Sequence, residues 1–201
     1  MIRLRTLGAL DLRGSDGQPL GAVLAQPKRV ALLVYLVLAA PRRSHRRDTL
    51  LAIFWPEQDA EHARNALCQA VHFLRHSLGA DALVSRNGDE LGLDGGDLWC
   101  DALAFEETLD AAETAAAVEL YRGELLEGFH VGHAPAFEHG LDGERARLAG
   151  RYAQAVEVLA EEREAAGDFG GAAPTPPRQA GGRHAALVAA GLAAILAAGA
   201  V

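Results

Sequence analysis

Residues 44–94 contain the pattern that decides the fold, and they read SHRRDTLLAIFWPEQDAEHARNALCQAVHFLRHSLGADALVSRNGDELGLD. A short amphipathic run ends at Phe54, and we expect Ser44 to cap it as a helix from His45. Trp55-Pro56 ends that run. A longer helical pattern then extends from about Asp59 to Leu78. The stretch therefore predicts two helices joined by a tight turn.

A β-hairpin is predicted directly after the second helix. Arg86-Asn87-Gly88-Asp89 lies between the apolar runs Leu83-Val84 and Leu91–Leu93. An Asn-Gly pair in this position is typical of a two-residue type I′ turn. Helix, turn, longer helix and hairpin is the order of a winged helix-turn-helix, whose second helix enters the major groove of DNA.

The second helix separates into two faces when its residues are placed at 100° each. The apolar face holds Ala63, Leu67, Ala70, Val71, Leu74 and Leu78, and the polar face holds Arg64, Asn65, Cys68, Gln69, His72, Arg75 and His76. An Arg side chain can form two hydrogen bonds with the edge of guanine, and Asn or Gln can form two with the edge of adenine. Surface helices favour Glu and Lys, but this face has no Lys. Taken alone, it fits either a DNA-reading face or an ordinary solvated one.

The charge is divided unevenly along the chain. Its 201 residues carry a net charge of −8, yet residues 1–95 hold 12 Lys/Arg against 10 Asp/Glu, and residues 96–201 hold 7 against 17. From Lys28 to His76 the count is 8 basic against 4 acidic residues. A locally basic module joined to an acidic one suits a DNA-binding domain attached to a protein-binding domain.

Regular patterns flank the central stretch on both sides. Alternating residues from Ile2 to Leu12 predict a small antiparallel sheet, and a mostly buried helix is predicted from Pro27 to about Pro41. After a Gly/Asp linker, the pattern is helical to about Ala166. Apolar residues at helical spacing mark these later helices: Phe105 and Leu109, Val118 and Tyr121, and then Phe137, Leu141, Leu148, Tyr152, Val156 and Leu159.

Five stretches of the chain form a recognisable series: PKRVALLVYL at 27–36, LLAIFWP at 50–56, ARNALCQAV at 63–71, LYRGELLEGF at 120–129 and ERARL at 144–148. In the order and spacing of these stretches, the chain resembles the SARP-type transcriptional regulators of bacteria. The resemblance covers residues 2 to about 173. It implies a mainly α fold with small β sheets: a winged helix-turn-helix followed by a bacterial transcriptional activator domain (BTAD) of tetratricopeptide-like helices. It also implies RNA polymerase or a second protomer as the partner of the helical domain.

The chain departs from that family at three places. The family usually has a basic residue at the position of Cys68 and tends to have Trp at Gly140, where we expect looser packing of the long helix. The helical domain normally continues through further helix pairs, but here a Pro-rich tail follows Phe169. We therefore expect three parts: a winged helix at 1–94, a partial BTAD at 97–173 and a tail at 174–201.

The tail ends in an uncharged apolar segment at 185–201, which is at the lower limit of a membrane span. Three interpretations remain: a short membrane helix, a shifted reading frame, or a helix docked on the truncated repeats. Insertion would make an inner-membrane-tethered regulator, whereas we otherwise expect a cytoplasmic protein. We expect deletion of 174–201 to leave DNA binding unchanged.

Motifs for catalysis and for cofactors are not found in the sequence. It has no Walker loop, no H-E-x-x-H and no G-x-S-x-G. Cys68, His72 and His76 lie at i, i+4 and i+8, which is too long a span for one zinc ion to bind all three. His130, His133 and His139 lie in a Gly/Pro-containing stretch that fits a solvated loop. We expect no cofactor, no metal and no enzymatic activity.

The sequence thus predicts a DNA-binding regulator of transcription, an activator according to the resemblance, that recognises double-stranded DNA. The residues expected to face bases are Arg64, Asn65, Gln69 and His72. Those expected at the backbone or the wing are Arg42, Arg43, Arg46, Arg47, Arg75, Arg86 and Asn87. One alternative is a helical scaffold protein whose winged helix no longer binds DNA. Another is a metal-dependent enzyme that uses the histidines.

Overall fold

A computed structural model describes residues 1–38, 44–93 and 98–165. The strands are β1 (Ile2–Arg5), β2 (Asp11–Arg13), β3 (Ser44–Arg46), β4 (Leu83–Arg86), β5 (Glu90–Leu93) and β6 (Leu98–Cys100). The helices are α1 (Gly21–Leu24), α2 (Pro27–Leu38), α3 (Arg47–Phe54), α4 (Ala60–Leu78), α5 (Asp101–Asp110), α6 (Thr114–Leu120) and α7 (Pro135–Ala165). Arg42, Arg43 and the tail 174–201 lie outside these ranges. Among the helices within them, none has the length and apolarity that a membrane crossing requires.

The fold class predicted from the sequence is confirmed. Helices α2, α3 and α4 and the sheet β3-β5-β4 form the winged helix-turn-helix, and α5 to α7 form the helical part that follows. The apolar face of α4 is buried as its periodicity predicts, with Ala63, Leu67, Ala70, Val71 and Leu74 each at most 4% exposed.

The predicted helix start at His45 is wrong. Residues 44–46 form β3, which pairs antiparallel with β5 so that His45 lies opposite Leu91. The Ser44 hydroxyl donates to the Glu90 carboxylate at 3.1 Å and does not cap a helix. Helix α3 begins at Arg47, and no side chain caps its first turn. Pairing with the hairpin satisfies the backbone groups of 44–46, which an additional helical turn would have removed from the sheet.

The predicted hairpin is present, but its loop has three residues instead of the two of a type I′ turn. Arg86 pairs with Glu90, which leaves Asn87, Gly88 and Asp89 in the loop. Asn87 and Gly88 adopt positive φ angles of 51° and 76°, as an Asn-Gly turn requires. The carbonyl of Asp89 accepts a hydrogen bond from the Arg47 backbone N–H at 2.8 Å. The extra residue therefore connects the wing to the start of α3.

The N-terminal sheet has the strand order β2-β1-β6. The antiparallel pairing of β1 with β2 confirms the sequence prediction, whereas the parallel pairing of β1 with β6 was not predicted. Asp101, directly after β6, is buried and accepts hydrogen bonds from the backbone N–H of Thr6 (2.7 Å) and of Leu7 (3.1 Å). Strand β6, which follows the predicted boundary at 94, thus completes the N-terminal sheet, and Asp101 binds the segment after β1.

The long helix α7 organises the helical part of the fold. Phe137, Leu141, Leu148 and Leu159 are buried along it, as the apolar stripe in the sequence predicts. The Arg145 side chain is only 16% exposed, and its guanidinium donates to the carbonyls of Leu125 (2.9 Å) and Leu126 (2.8 Å). A Cβ on Gly140 would meet no atom within 4 Å, so the looser packing expected there stays a prediction. Arg145 therefore holds the segment before α7 against the helix.

Candidate nucleic-acid interface

Helix α4 is fixed at both ends, so the direction of its outer face is well defined. The Asp59 carboxylate accepts hydrogen bonds from the backbone N–H groups of Glu61 (3.1 Å) and His62 (3.0 Å). These bonds, led by that of the His62 backbone, lower the pKa of Asp59 and keep the cap ionised. Gly79 ends the helix with a positive φ of 113°. The helix is thus a rigid support for the side chains on its exposed side.

The outer face of α4 collects the four side chains that the sequence predicted to face bases. Arg64, Asn65, Gln69 and His72 are all exposed. Within the part of the chain that the structure describes, none of them makes a side-chain hydrogen bond or an ion pair. Cys68 is also exposed on this face. The donors and acceptors of this face are therefore available to a ligand.

Arg47 and Arg75 do not extend freely from the surface. The Nη2 atoms of Arg47 and Arg75 lie 3.0 Å and 3.3 Å from the Ser85 hydroxyl oxygen, to which both donate. Arg75 Nε also donates to the Leu83 carbonyl at 2.8 Å. These contacts connect the start of α3, the second half of α4 and the strand β4. Both arginines were predicted from the sequence as contacts to the DNA backbone, but their shared contact with Ser85 was not predicted.

The remaining predicted contacts lie on the β3 strand and at the tip of the hairpin. Arg46 is exposed, and its guanidinium is 3.7 Å from the Asp48 carboxylate in a solvated ion pair. Such a pair is weak in water and does not prevent another contact. Arg86 and Asn87 are exposed at the hairpin tip.

Two basic residues beside α4 were not predicted as part of the site. Arg29 lies over the ring of Phe73 with its guanidinium carbon 4.1 Å from the centroid, and Lys28 Nζ lies 5.8 Å from the Trp55 ring centroid. Desolvation by burial lowers the pKa of Lys28. Both residues line an open cavity of about 240 Å³ that reaches Gln69 on α4. The two residues could have been recognised from the sequence as a basic pair at the start of α2, directly after Pro27.

The other chemically reactive groups do not assemble into a second site. Burial raises the pKa of the Cys100 thiol to about 11, which leaves it protonated near neutral pH and unsuited to act as a nucleophile. His130 pairs with Glu138 at 3.0 Å, and His133 pairs with Glu57 at 3.1 Å. Across residues 1–38, 44–93 and 98–165, no three His, Cys, Asp or Glu side chains come together as metal ligands would.

Comparison with known proteins finds similarity of fold to solved structures, but not similarity of sequence. No family model matches the sequence, and no curated protein sequence matches it significantly. The structure is similar to that of Mycobacterium tuberculosis EmbR, solved in complex with a low-affinity phosphopeptide, with a TM-score of 0.61 and 23% sequence identity. The match covers 83% of this chain but 46% of the EmbR chain, so this chain spans about half of that protein. At this identity the likeness shows the fold.

Proposed function

We propose that this chain is a regulator of transcription that binds double-stranded DNA in a sequence-specific manner and has no enzymatic activity. The observation that supports this most directly is the outer face of α4. Arg64, Asn65, Gln69 and His72 are exposed there and make no side-chain hydrogen bond or ion pair with the described residues. An ordinary solvated helix face would carry acids paired with lysines, whereas this face offers the forked donors and acceptors that match base edges.

The proposed contacts divide into base readers and backbone contacts. The four residues on α4 read bases in the major groove, and Arg46 contacts phosphate beside them. Arg86 and Asn87 at the hairpin tip reach the backbone or the minor groove. Phosphate contacts set affinity and register, whereas base contacts set the preferred sequence. Arg42 and Arg43 lie outside the described residues and are proposed as backbone contacts because of their positive charge.

The helical part is proposed to bind a protein. Residues 98–165 contain 15 Asp/Glu and 5 Lys/Arg, and such an acidic surface repels the DNA backbone. The likeness to EmbR supports a SARP-like regulator, for which the partner is RNA polymerase or a second protomer on adjacent DNA. In this proposal residues 1–94 bind DNA and 97–173 form a partial BTAD, and the protein acts in the cytoplasm.

Fluorescence anisotropy with a short random duplex at low salt tests the proposal. We expect the full chain to bind, and we expect the logarithm of the affinity to fall linearly with the logarithm of the salt concentration. The alternative is a helical scaffold protein with a winged helix that no longer binds DNA. Absence of binding at the lowest salt concentration would contradict the proposal and favour that alternative.

A further inference from the structure

The Ser85 hydroxyl accepts hydrogen bonds from two guanidinium groups that are not paired with any described carboxylate. Arg47 and Arg75 both donate to its oxygen, at 3.0 Å and 3.3 Å. In the described part of the chain, neither arginine forms an ion pair with a carboxylate. Two cations that share a neutral acceptor repel each other, and an anion placed between them would offset that repulsion.

A second pair of neighbouring arginines in the same chain is neutralised by a carboxylate. Arg147 and Arg151 on α7 also converge on one group, but that group is the Glu106 carboxylate. There the two positive charges are offset within the protein. At Ser85 the protein supplies a neutral hydroxyl in the equivalent place, so a bound anion could supply the compensating negative charge.

The hydrogen-bond donors that remain unused around Ser85 indicate which kind of anion could bind there. A serine hydroxyl has two acceptor lone pairs and one proton. Because both arginines donate to the oxygen, the proton can be donated to a third group. Each guanidinium has five N–H donors, of which Arg47 uses one here and Arg75 uses two. Several converging donors and no negative charge suit a tetrahedral oxyanion such as a phosphate.

We propose that Arg47, Arg75 and Ser85 form one seat for a phosphate group, and that its occupant is a phosphodiester of the DNA backbone. This inference rests on the proposed function and adds Ser85 to it as a phosphate-binding residue. The seat lies where α3, α4 and β4 meet. The second helix of a helix-turn-helix enters the major groove, so a phosphate bound at this junction would flank the groove that α4 is proposed to read. One phosphate bound there fixes the register of the helix and the wing together.

The test compares two substitutions that make the same change in charge. Ser85→Asp supplies an internal carboxylate to both arginines. Ser15→Asp places the same charge in the exposed turn after β2, which belongs to the other sheet. We expect Ser85→Asp to weaken duplex binding by about tenfold or more relative to Ser15→Asp, because a charge-assisted contact is lost. Its salt slope should be smaller by about 0.9, as for one phosphate contact.

Ser85→Ala provides a second variant that adds no charge. It removes one neutral donor, so we expect a loss of several-fold in affinity, with an unchanged melting temperature because Ser85 is exposed. Equal duplex affinity for the Ser85→Asp and Ser15→Asp variants would overturn the seat while leaving DNA binding intact.

A direct probe separates the seat from the function on which it rests. The arginine Nε–Hε signals of the full chain are recorded by ¹⁵N NMR during titration with inorganic phosphate and, separately, with the random duplex. We expect both probes to shift the Arg47 and Arg75 signals, with the duplex acting at the lower concentration, and Ser85→Asp to abolish both shifts. Shifts with phosphate but no duplex binding would retain an anion seat and reject DNA as its occupant. No shift with either probe would overturn the seat.

Discussion

Phe54, the last residue of α3, packs against Phe137 of α7 with their ring centroids 5.4 Å apart. Both side chains are buried, and they belong to a hydrophobic core that extends from the N-terminal sheet to the first half of α7. The helix-turn-helix is therefore packed directly on the helical part. A partner that binds α7 would act on a structure already in contact with the proposed DNA-binding unit.

The Phe54–Phe137 contact predicts that both parts unfold together. Phe137→Ala removes a ring that is 5% exposed, and we expect the free energy of unfolding to fall by about 3–5 kcal/mol. Urea unfolding is followed by tryptophan fluorescence, which reports on Trp55 and Trp99 in the N-terminal part, and by helical circular dichroism, to which α7 is the largest single contributor. We expect the fluorescence and circular dichroism transitions to coincide, both in the unsubstituted chain and in Phe137→Ala. Two separate transitions in the unsubstituted chain would contradict the shared core.

The close approach of Gly8 and Gly123 predicts a second sensitive position. A Cβ on Gly123 would lie 2.7 Å from the Gly8 Cα, and the Gly8 N–H donates to the Glu124 carbonyl at 2.9 Å. We expect Gly123→Ala to destabilise the protein by about 1–3 kcal/mol because backbone has to move. Gly140→Ala is the matched control. Its added methyl group points into open space on a helix, so it should stabilise the protein by about 0.5–1 kcal/mol. Similar unfolding midpoints for the two variants would argue against the contact.

Cys68 provides a gain-of-function prediction. Because the thiol is exposed on the outer face of α4, Cys68→Arg should add a cation without disturbing the core. We expect tighter duplex binding and a salt slope steeper by about 0.9. Cys68→Ser is the neutral control. Measured by anisotropy, an affinity equal to that of the Ser variant would place residue 68 away from the DNA.

Glu106 predicts how stability depends on acid. Hydrogen bonds from Arg147 and, to a smaller extent, Arg151 lower its pKa below the ordinary value of 4.5. The unfolded chain therefore takes up the proton first. The contribution of this carboxylate is complete above pH 4.5 and is lost as the pH falls through its folded pKa. Glu106→Gln should lower the unfolding midpoint at neutral pH and flatten its acid decline. The exposed Glu107→Gln control should follow the unsubstituted protein at every pH; an identical decline for Glu106→Gln would contradict the assignment.

Local patterns in the sequence were sufficient to predict much of the fold and which residues of α4 are exposed. The period of α4 identified its buried and exposed residues, and Asn87-Gly88 identified the hairpin, because both signals come from neighbouring residues. Strand β3 was missed because Ser44-His45-Arg46 has no alternating pattern and is ordered by its pairing with β5. Strand β6 was missed for a similar reason, since it is ordered by pairing with β1, which lies at residues 2–5.

The phosphate seat could not be predicted from the sequence. Ser85 is 38 residues from Arg47 and 10 from Arg75, and only the packing of α3, α4 and β4 brings the three together. The contact between Gly8 and Gly123 is of the same kind. A glycine in a loop predicts a turn, but only the fold shows that the other chain segment fills the space where its Cβ would be.

Selection of bound sequences from a pool of randomised duplexes tests the central claim most directly. The full chain should enrich one motif, and Arg64→Ala should lose the preference at one base pair, worth about 1–3 kcal/mol, with an unchanged melting temperature. Arg3→Ala removes the same charge from an exposed position on β1 and should enrich the original motif. Enrichment of no motif by the full chain, or of the same motif with equal affinity by Arg64→Ala, would contradict the proposal that α4 reads DNA sequence.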